Sequence, residues 1–319
     1  FRSVAVVAAL ALPLASAPAA AGEDVTRVLL VGDSVTQGSA GDWTWRYRLW
    51  KHLEAAGTPV DFVGPRNDLW DAEQMSPGSQ EYVDPAFDTD HAAYWATAYV
   101  AQKYAVAELV ATYRPEVIVV SYGVNDFFGY WQPAATVLAQ AASFVAAARS
   151  ADPDVDIVLS RIPQTWLTGV PALNEGLPDV ATSLDSVRSR VVVTDLPEGV
   201  VEYTDTYDPA HLSASGEVKV AAAVADALAG LGVGRPYPRP LPKVPNGPRR
   251  PATLTVSAKR SVAHLSWRNP PGATGAYIWM RDVSAGGPWV RLAGPVEKKN
   301  TWPAAGLARG HDYEFRLQA

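Results

Sequence analysis

The sequence predicts an α/β domain built on a parallel sheet, followed by a small domain made only of strands. Three observations carry this prediction. Short apolar runs first alternate with helical stretches, proline then becomes frequent over a short segment, and the remaining residues alternate polar and apolar side chains. The chain has 319 residues, of which 48% are hydrophobic, so it can bury a substantial core and has the length of two domains.

Residues 1–21 have the pattern of an export signal. Arg2 precedes an apolar run over residues 4–14, and the small residues Ala19 and Ala21 fit a cleavage site. The run is shorter than the roughly 20 apolar residues that span a bilayer. We therefore expect a signal peptide and a secreted protein with no stable membrane anchor in its mature form. The alternatives are a membrane anchor or a buried first helix.

Five short apolar runs predict the sheet of the first domain, which we place at residues 22–233. They are rich in β-branched residues, as strands buried on both faces should be. The Ala- and Leu-rich stretches between them are long enough for helices, and the alternation implies right-handed crossovers with helices on both faces. The predicted strands are 28–31, 60–63, 117–121, 157–160 and 191–194, and the predicted helices are 47–56, 96–113, 134–148 and 218–231.

A proline-rich segment separates the two predicted domains. Residues 234–251, GRPYPRPLPKVPNGPRRP, carry proline at nearly every second or third position, which predicts a semi-extended linker that buries little surface. From residue 252 to residue 319, short alternating runs are separated by turn-rich breaks such as NPPGATG. This pattern predicts an antiparallel sandwich.

The segment VLLVGDSVTQG places Ser34 directly after the first predicted strand. In open α/β sheets, ligands bind at the carboxyl ends of the strands, so Ser34 is a candidate nucleophile. Taken alone, the same pattern is more often a turn closed by side-chain hydrogen bonds.

A second segment, VIVVSYGVND, ends another predicted strand in a turn that carries Asn125. Its side-chain amide could donate a hydrogen bond to an oxyanion. The alternative is that Asn125 or Asp126 caps the next helix.

A third segment, YDPAHLSASGEV, has Asp208 three residues before His211 and just before the last predicted helix. This spacing lets the carboxylate reach the imidazole nitrogen that faces away from a serine. Ser213 fits the N-cap of the helix. The Asp-x-x-His pattern is also common in ordinary surface loops.

Together and in this order, the motifs resemble the blocks of the SGNH hydrolase superfamily. GDSVTQG is similar to its first block, Gly64 in DFVGPRND to its second-block glycine, GVND to its third and DPAH to its fifth, over about residues 25 to 232. The resemblance implies a flavodoxin-like, three-layer αβα fold with a five-stranded parallel sheet in the order 2-1-3-4-5.

The same resemblance implies the roles of individual residues. Ser34 corresponds to the nucleophile, His211 to the general base and Asp208 to the group that orients the base. The backbone N–H groups of Ser34 and Gly64 and the amide of Asn125 correspond to the oxyanion hole.

Two departures from the family pattern fall near these residues. Leu212 and Ser213 follow His211 where many relatives have proline and asparagine, and the segment DHAAYWA lacks the glycines of an H-x-G-x-x-G-W pattern. His91 in that segment is a rival base. We also consider four residues as candidates that line the substrate pocket, namely Asp33, Trp43, His91 and Trp95.

The C-terminal segment resembles a fibronectin type III module. Trp267 falls in its second strand, and Leu307 and Tyr313 match its tyrosine-corner elements. The final strand of such a module would follow Ala319, so we expect the module to be incomplete at its C-terminus.

The expected activity is hydrolysis of carboxylic esters through an acyl-enzyme, with no metal or organic cofactor. The resemblance favours the deacylation of extracellular carbohydrate or other small esters. The alternatives are a short-chain lipase or phospholipase and a non-catalytic surface- or polysaccharide-binding protein. The absence of cysteine excludes thiol catalysis, and a net charge of −6 gives no reason to expect nucleic acid as a partner. The sequence leaves the oligomeric state open.

Overall fold

The computed structural model describes residues 25–72, 74–244, 252–270, 273, 275–297 and 299–319. The expected export signal and residues 245–251 of the linker therefore lie outside the described residues. Within the described ranges, no helix is both long and apolar enough to cross a membrane.

In its described part, the first domain has eight strands and seven helices. The strands are β1 (Thr26–Gly32), β2 (Val60–Val63), β3 (Leu69–Asp71), β4 (Ser76–Ser79), β5 (Ala92–Ala93), β6 (Val117–Ser121), β7 (Asp156–Leu159) and β8 (Val191–Val193). The helices are α1 (Ser34–Gln37), α2 (Thr44–Ala55), α3 (Val106–Tyr113), α4 (Val124–Phe128), α5 (Ala134–Ala151), α6 (Val170–Leu184) and α7 (Ala214–Gly230).

A parallel sheet runs through the domain in the spatial order β2-β1-β6-β7-β8. These five strands are the predicted ones, and their arrangement confirms the predicted order 2-1-3-4-5. The two-residue strand β5 also pairs with β1, beyond the end of β2. Strands β3 and β4 form a separate antiparallel pair. Because β1 and β6 are neighbours, the residues that follow them meet at the carboxyl edge of the sheet.

Alternate residues of the sheet strands face two separate hydrophobic cores. Leu29 and Ile118 belong to the core that includes α3, α5 and α6, whereas Val28 and Val119 belong to the core that includes α2 and α7. All four side chains are buried. The result is the predicted three-layer arrangement, with a sheet that is apolar on both faces.

The helix predicted over residues 96–113 is wrong in its first half, because only Val106–Tyr113 is helical. Ala96 has a positive φ of 61°, which is incompatible with a right-handed helix. The backbone N–H groups of Tyr99 and Val100 donate instead to the carboxylate of Asp126. A buried carboxylate from another element therefore replaces the hydrogen bonds that a helix would make.

Helix α6 was missed because its sequence contains two prolines and a glycine. Pro171 lies in the first turn, where its missing N–H costs no intrahelical hydrogen bond, and Pro178 lies inside the helix. Gly176 lies at a close contact with α5, because a Cβ atom there would come within 2.5 Å of Leu138. Tertiary packing of the apolar face outweighs the weak helix propensity.

The C-terminal domain consists of two antiparallel three-stranded sheets, in the orders β13-β10-β9 and β12-β11-β14. Trp267 and Ile278, from different sheets, belong to the same small core. The hydroxyl of Tyr313 accepts a hydrogen bond from the N–H of Ala308, 2.9 Å away. The fibronectin type III identity stays a prediction. The strands are β9 (Thr253–Lys259), β10 (Val262–Arg268), β11 (Gly275–Asp282), β12 (Val290–Glu297), β13 (Thr301–Ala305) and β14 (Tyr313–Gln318).

The first residues of the proline-rich linker pack against the first domain, unlike the expected segment that buries little. Tyr237 stacks on His52, with ring centroids 4.6 Å apart, and its N–H donates to Asp226. Arg239 forms an ion pair with the same aspartate at 2.6 Å. The expectation failed because it considered proline content alone and overlooked the aromatic and charged residues between the prolines. The domain boundaries themselves stay predictions.

Candidate active site

Ser34 is the first residue of the short helix α1, which follows β1 after a single residue. Asp33 occupies the N-cap position, and its Oδ1 accepts a hydrogen bond of 2.9 Å from the N–H of Val35. Because β1 is buried in the sheet, this turn has a rigid support. Arg46 of α2 also holds it, because its buried guanidinium donates to the carbonyl oxygens of Thr36 and Gln37.

Ser34, His211 and Asp208 form a continuous hydrogen-bonded chain. The Oγ of Ser34 lies 3.0 Å from Nε2 of His211, and Nδ1 of His211 lies 2.7 Å from Oδ2 of Asp208. An ionised carboxylate can only accept, so Nδ1 carries the proton and Nε2 is free to accept the serine proton. This is the geometry of a serine nucleophile with its base and the group that orients it.

The loop that carries Asp208 and His211 is held by its own backbone and by its neighbours. Oδ1 of Asp208 accepts from the N–H groups of Ala210 and His211, at 2.8 and 2.7 Å. Partial burial acts to raise the pKa of Asp208, but the hydrogen bond and charge of His211 outweigh it, and the pKa is lowered. In the loop after β7, Gln164 and Trp166 donate to the carbonyls of Ala210 and Pro209.

Asn125 lies at the same edge of the sheet, in the first turn of α4. Its side-chain Nδ2 donates to the carbonyl of Thr97 at 3.0 Å and to Oδ2 of Asp33 at 3.3 Å. An amide nitrogen has two protons, so an oxyanion would have to replace one of these acceptors, and the longer contact to Asp33 is the weaker of the two. The helix is not capped by Asn125 or Asp126, because its N-cap is Gly123, with a φ of 143°.

Gly64 follows β2 and lies against the backbone of His91. A Cβ atom at this position would come within 2.2 Å of the His91 carbonyl oxygen, so only glycine allows this close approach. The oxyanion roles of Gly64 and of the Ser34 backbone stay predictions.

Asp33 does not line the substrate pocket, because its side chain is almost completely buried. Burial raises the pKa of Asp33 to about 7, although the hydrogen bond from Val35 and the charge of His211 act in the opposite direction. The charge of Asp126 adds to the rise. Near neutral pH, this carboxyl group therefore changes its charge next to the nucleophile and next to the amide of Asn125.

His91 is neither a base nor a pocket residue. Its ring is fully buried, Nε2 donates to the carbonyl of Asp68 at 2.9 Å, and Nδ1 accepts from the N–H of Ala93 at 3.0 Å. Burial, together with the charges of Arg46 and Arg66, lowers the pKa of His91 well below its usual range. The ring is a neutral structural group that connects two loops.

The two candidate tryptophans have different positions. Trp43 packs on Tyr47 with ring centroids 4.7 Å apart, in a cluster with Trp50 and Phe87. Trp95 instead stacks directly on His211, with centroids 4.6 Å apart and ring planes 17° from parallel. Of the two, Trp95 is thus the one in contact with the triad.

One residue near the triad, Tyr207, was missed in the sequence. Its ring also stacks on His211, and its hydroxyl lies 3.0 Å from Oγ of Ser39. The signal available was its place immediately before the DPAH motif. Ser213 was predicted as an N-cap and does occupy that position, but its hydroxyl accepts no hydrogen bond from the helix backbone. It donates instead to the carbonyl of Thr204.

A small cleft lies beside Ser34 and His211. Its walls include Val35, Ser39, Asp42, Tyr207, Leu212 and Glu217.

No family model matches the sequence, and no curated protein matches it. Solved structures do match. A carbohydrate esterase of family 3 from Talaromyces cellulolyticus is 25% identical with a TM-score of 0.56, covering 65% of this chain and 98% of its own. The structure of a serine-to-alanine mutant of an acetyl esterase with an acetate ion gives the same four values. A family 3 carbohydrate esterase from Clostridium thermocellum is 21% identical with a TM-score of 0.54, covering 65% and 97%.

Proposed function

We propose that this protein, a carboxylic ester hydrolase with the SGNH/GDSL hydrolase fold, removes acetyl groups from carbohydrate esters outside the cell. The expectation of an ester hydrolase with this fold is confirmed by the solved structures that it matches. The alternative of a non-catalytic binding protein is wrong.

The proposed reaction proceeds through an acyl-enzyme. His211 accepts the proton of the Ser34 hydroxyl at Nε2, and Oγ attacks the carbonyl carbon of the ester. When the tetrahedral intermediate collapses, the bond to the alcohol oxygen breaks and His211 returns the proton to that oxygen. Water then repeats the sequence on the acyl-enzyme and releases acetate. Asp208 stabilises the charged imidazole at each stage.

The solved structures that this chain matches at 25% identity carry the choice of acetyl. One is a family 3 carbohydrate esterase, and the other is an acetyl esterase mutant with an acetate ion. The side chains that line the cleft beside Ser34 and His211 include Trp45, Tyr207 and Leu212. A longer acyl chain in this cleft would require them to move, at a cost in packing energy.

Exposed aromatic rings beside the site support a carbohydrate as the alcohol part of the ester. Phe128, Tyr130 and Trp131 are 65%, 42% and 81% exposed. The loop is fixed to the site, because the N–H of Tyr130 donates to the carbonyl of Asn125 at 2.9 Å. Exposed aromatic patches mark binding surfaces, and the apolar faces of sugar rings pack well on aromatic rings. No Lys or Arg occurs between Arg114 and Arg149, so this loop has no basic group for anionic lipid.

The proposed location outside the cell rests on the composition of residues 1–21. Expression of the full chain, followed by N-terminal sequencing of the protein in the medium, tests it. A mature N-terminus close to residue 22 is expected, and retention of the whole segment inside the cell would contradict it.

The deacetylase proposal is tested with a panel of substrates. We expect acetate release from acetylated xylo-oligosaccharides, and hydrolysis of p-nitrophenyl acetate far faster than of p-nitrophenyl octanoate. A preference for the octanoate, or activation by lipid vesicles, would support the lipase alternative. Activity on p-nitrophenyl acetate without acetate release from any acetylated sugar would exclude carbohydrate as the substrate while leaving the esterase intact.

A further inference from the structure

The imidazole of His211 is in contact with two aromatic rings that no step of the proposed reaction uses. Trp95 stacks on it at 4.6 Å between centroids and 17° between planes, and Tyr207 does so at 5.7 Å and 15°. Near-parallel stacking lets ring faces approach the imidazole, and the shorter centroid distance makes Trp95 the closer of the two. The edges of His211, where its two nitrogens lie, stay free for Ser34 and Asp208.

Both stacked rings are themselves held in place. The backbone N–H of Trp95 donates to Oε1 of Gln37 at 2.8 Å, and its indole ring stacks on that of Trp70, with centroids 4.7 Å apart. The hydroxyl of Tyr207 lies 3.0 Å from Oγ of Ser39, and its N–H donates to the carbonyl of His211. The contacts with the imidazole are therefore built into the fold.

The face of an aromatic ring carries partial negative charge and attracts a cation within about 6 Å of its centre. His211 is neutral before the reaction and becomes a cation only when it has taken the serine proton. An interaction that is stronger with the cation than with the neutral ring therefore stabilises the transition state more than the ground state.

We propose that Trp95 and Tyr207 are positioning residues that stabilise the positively charged form of His211 through their ring faces. They act on the reaction through His211 and do not contact the reacting atoms.

The charged groups around His211 allow this contribution to be measured separately. Asp208 contacts Nδ1, the charge of Asp33 interacts with the ring, and Asp42 and Glu217 line the same small cleft. All four are acids whose ionised forms favour the charged imidazole, and Asp33, with a pKa of about 7, carries this charge only above neutral pH. Because substitution of an uncharged aromatic residue leaves all four in place, a change in the pH dependence reports the lost ring.

Loss of a ring also has an opposing effect, because water that enters the space would favour the charged imidazole by solvation. The two effects have opposite signs in the pH profile of kcat/KM. Loss of the ring-face attraction moves the midpoint of the acid limb to lower pH, whereas entry of water moves it to higher pH.

The test compares Trp95→Leu and Tyr207→Leu with Trp95→Phe and Tyr207→Phe, using p-nitrophenyl acetate from pH 4.5 to pH 9. The leucine variants should move the acid-limb midpoint down by about 0.4 to 1 unit and lower kcat about 2- to 10-fold. The phenylalanine variants keep a ring and should retain most of the wild-type midpoint. Tyr207→Phe also removes the hydroxyl contact with Ser39, so it separates the ring from the hydroxyl.

Circular dichroism and thermal unfolding verify that each variant is folded. Trp95→Met and Tyr207→Met, which also lack a ring and should shift the midpoint in the same way, replace a leucine variant that does not fold. An unchanged midpoint in both leucine variants, with any loss of kcat, would reduce the rings to steric supports and overturn the proposal. A midpoint that moves to higher pH would mean that the rings act by excluding water, which also overturns it.

Discussion

Asp33 carries a buried carboxyl group with a strongly raised pKa, and it immediately precedes the nucleophile Ser34 in the chain. Its pKa of about 7 means that the folded protein keeps the proton at pH values where the unfolded chain, with a value near 3.8, has lost it. The stability contribution of Asp33 therefore falls as the pH rises from about 4 to 7, by up to about 1.4 kcal/mol per pH unit.

We expect Asp33→Asn to remove this dependence, because asparagine keeps an oxygen for the N–H of Val35 but never ionises. Between pH 5 and pH 8, wild type should lose about 2 to 3 kcal/mol of unfolding free energy through Asp33, and the variant should not lose it. Urea unfolding at both pH values measures it. Asp195→Asn, which removes an exposed carboxylate, is the control and should show little such change. Equal effects of the two substitutions would contradict the role assigned to burial.

Asn125→Ala tests whether the amide acts in the oxyanion hole despite its contacts with Thr97 and Asp33. An oxyanion donor is worth about 100- to 1000-fold in kcat, whereas KM for a small ester should change little. Steady-state kinetics on p-nitrophenyl acetate decide this. A loss below about fivefold in a folded variant would mean that the amide only supports the structure.

For individual residues, the sequence motifs predicted which side chains gather at the site. They did not predict all the hydrogen bonds and ring contacts that these side chains make. The spacing of Asp208 and His211 was sufficient to predict their hydrogen bond, because three residues of one loop determine it. The contacts of Asn125 with Thr97 and of Trp95 with His211 join residues far apart in the chain. Their geometry depends on the path of a loop that departs from the family pattern.

Among the elements, the loop after α4 has the clearest separate role. Trp131 is 81% exposed and has a positive φ of 54°, while the N–H groups of Tyr130 and Gln132 on either side bond to α4. The backbone of the loop is thus held in place although the side chain of Trp131 is largely exposed to solvent.

Trp131→Ala should raise KM for acetylated oligosaccharides about 2- to 10-fold, the effect expected from losing one aromatic contact. KM for p-nitrophenyl acetate should stay unchanged. Trp131→Phe is the matched variant and should keep most of the affinity. Equal effects on both substrates would place the ring in the chemistry instead. Loss of vesicle binding alone would favour lipid as the partner.

Predictions for whole elements succeeded where the pattern was local and failed where a distant group determined the backbone. The five sheet strands are apolar on both faces and could be recognised from that alone. Residues 96–105 look helical by composition, yet the carboxylate of Asp126 accepts the N–H groups of Tyr99 and Val100. No pattern within that segment signals a partner more than 20 residues away.

For the whole molecule, the catalytic residues all precede the linker, so the first domain should work alone. We expect chains that end at Lys243 or at Gly234 to hydrolyse p-nitrophenyl acetate with unchanged kcat/KM. Only the shorter chain loses the contacts of Tyr237 and Arg239 with Asp226, so it should unfold at a lower temperature, by about 2 to 4 °C per kcal/mol lost.

Kinetics and thermal unfolding of the two shortened chains, beside the full chain, measure both effects. Loss of the C-terminal domain should matter only on insoluble or polymeric substrates, where a second domain raises the local concentration. A large drop in kcat/KM for the small ester, with the domain still folded, would mean that the C-terminal domain contributes to the site.

The assignment of Ser34 as a nucleophile activated by His211 is tested most directly by covalent trapping with a fluorophosphonate ester. Intact-mass spectrometry and peptide mapping should find a single phosphonyl group, attached to Ser34. Ser34→Ala should take up none, and His211→Ala should react at least about 1000-fold more slowly. A phosphonyl group on another residue, or a Ser34→Ala protein that still hydrolyses p-nitrophenyl acetate at the wild-type rate, would contradict the account.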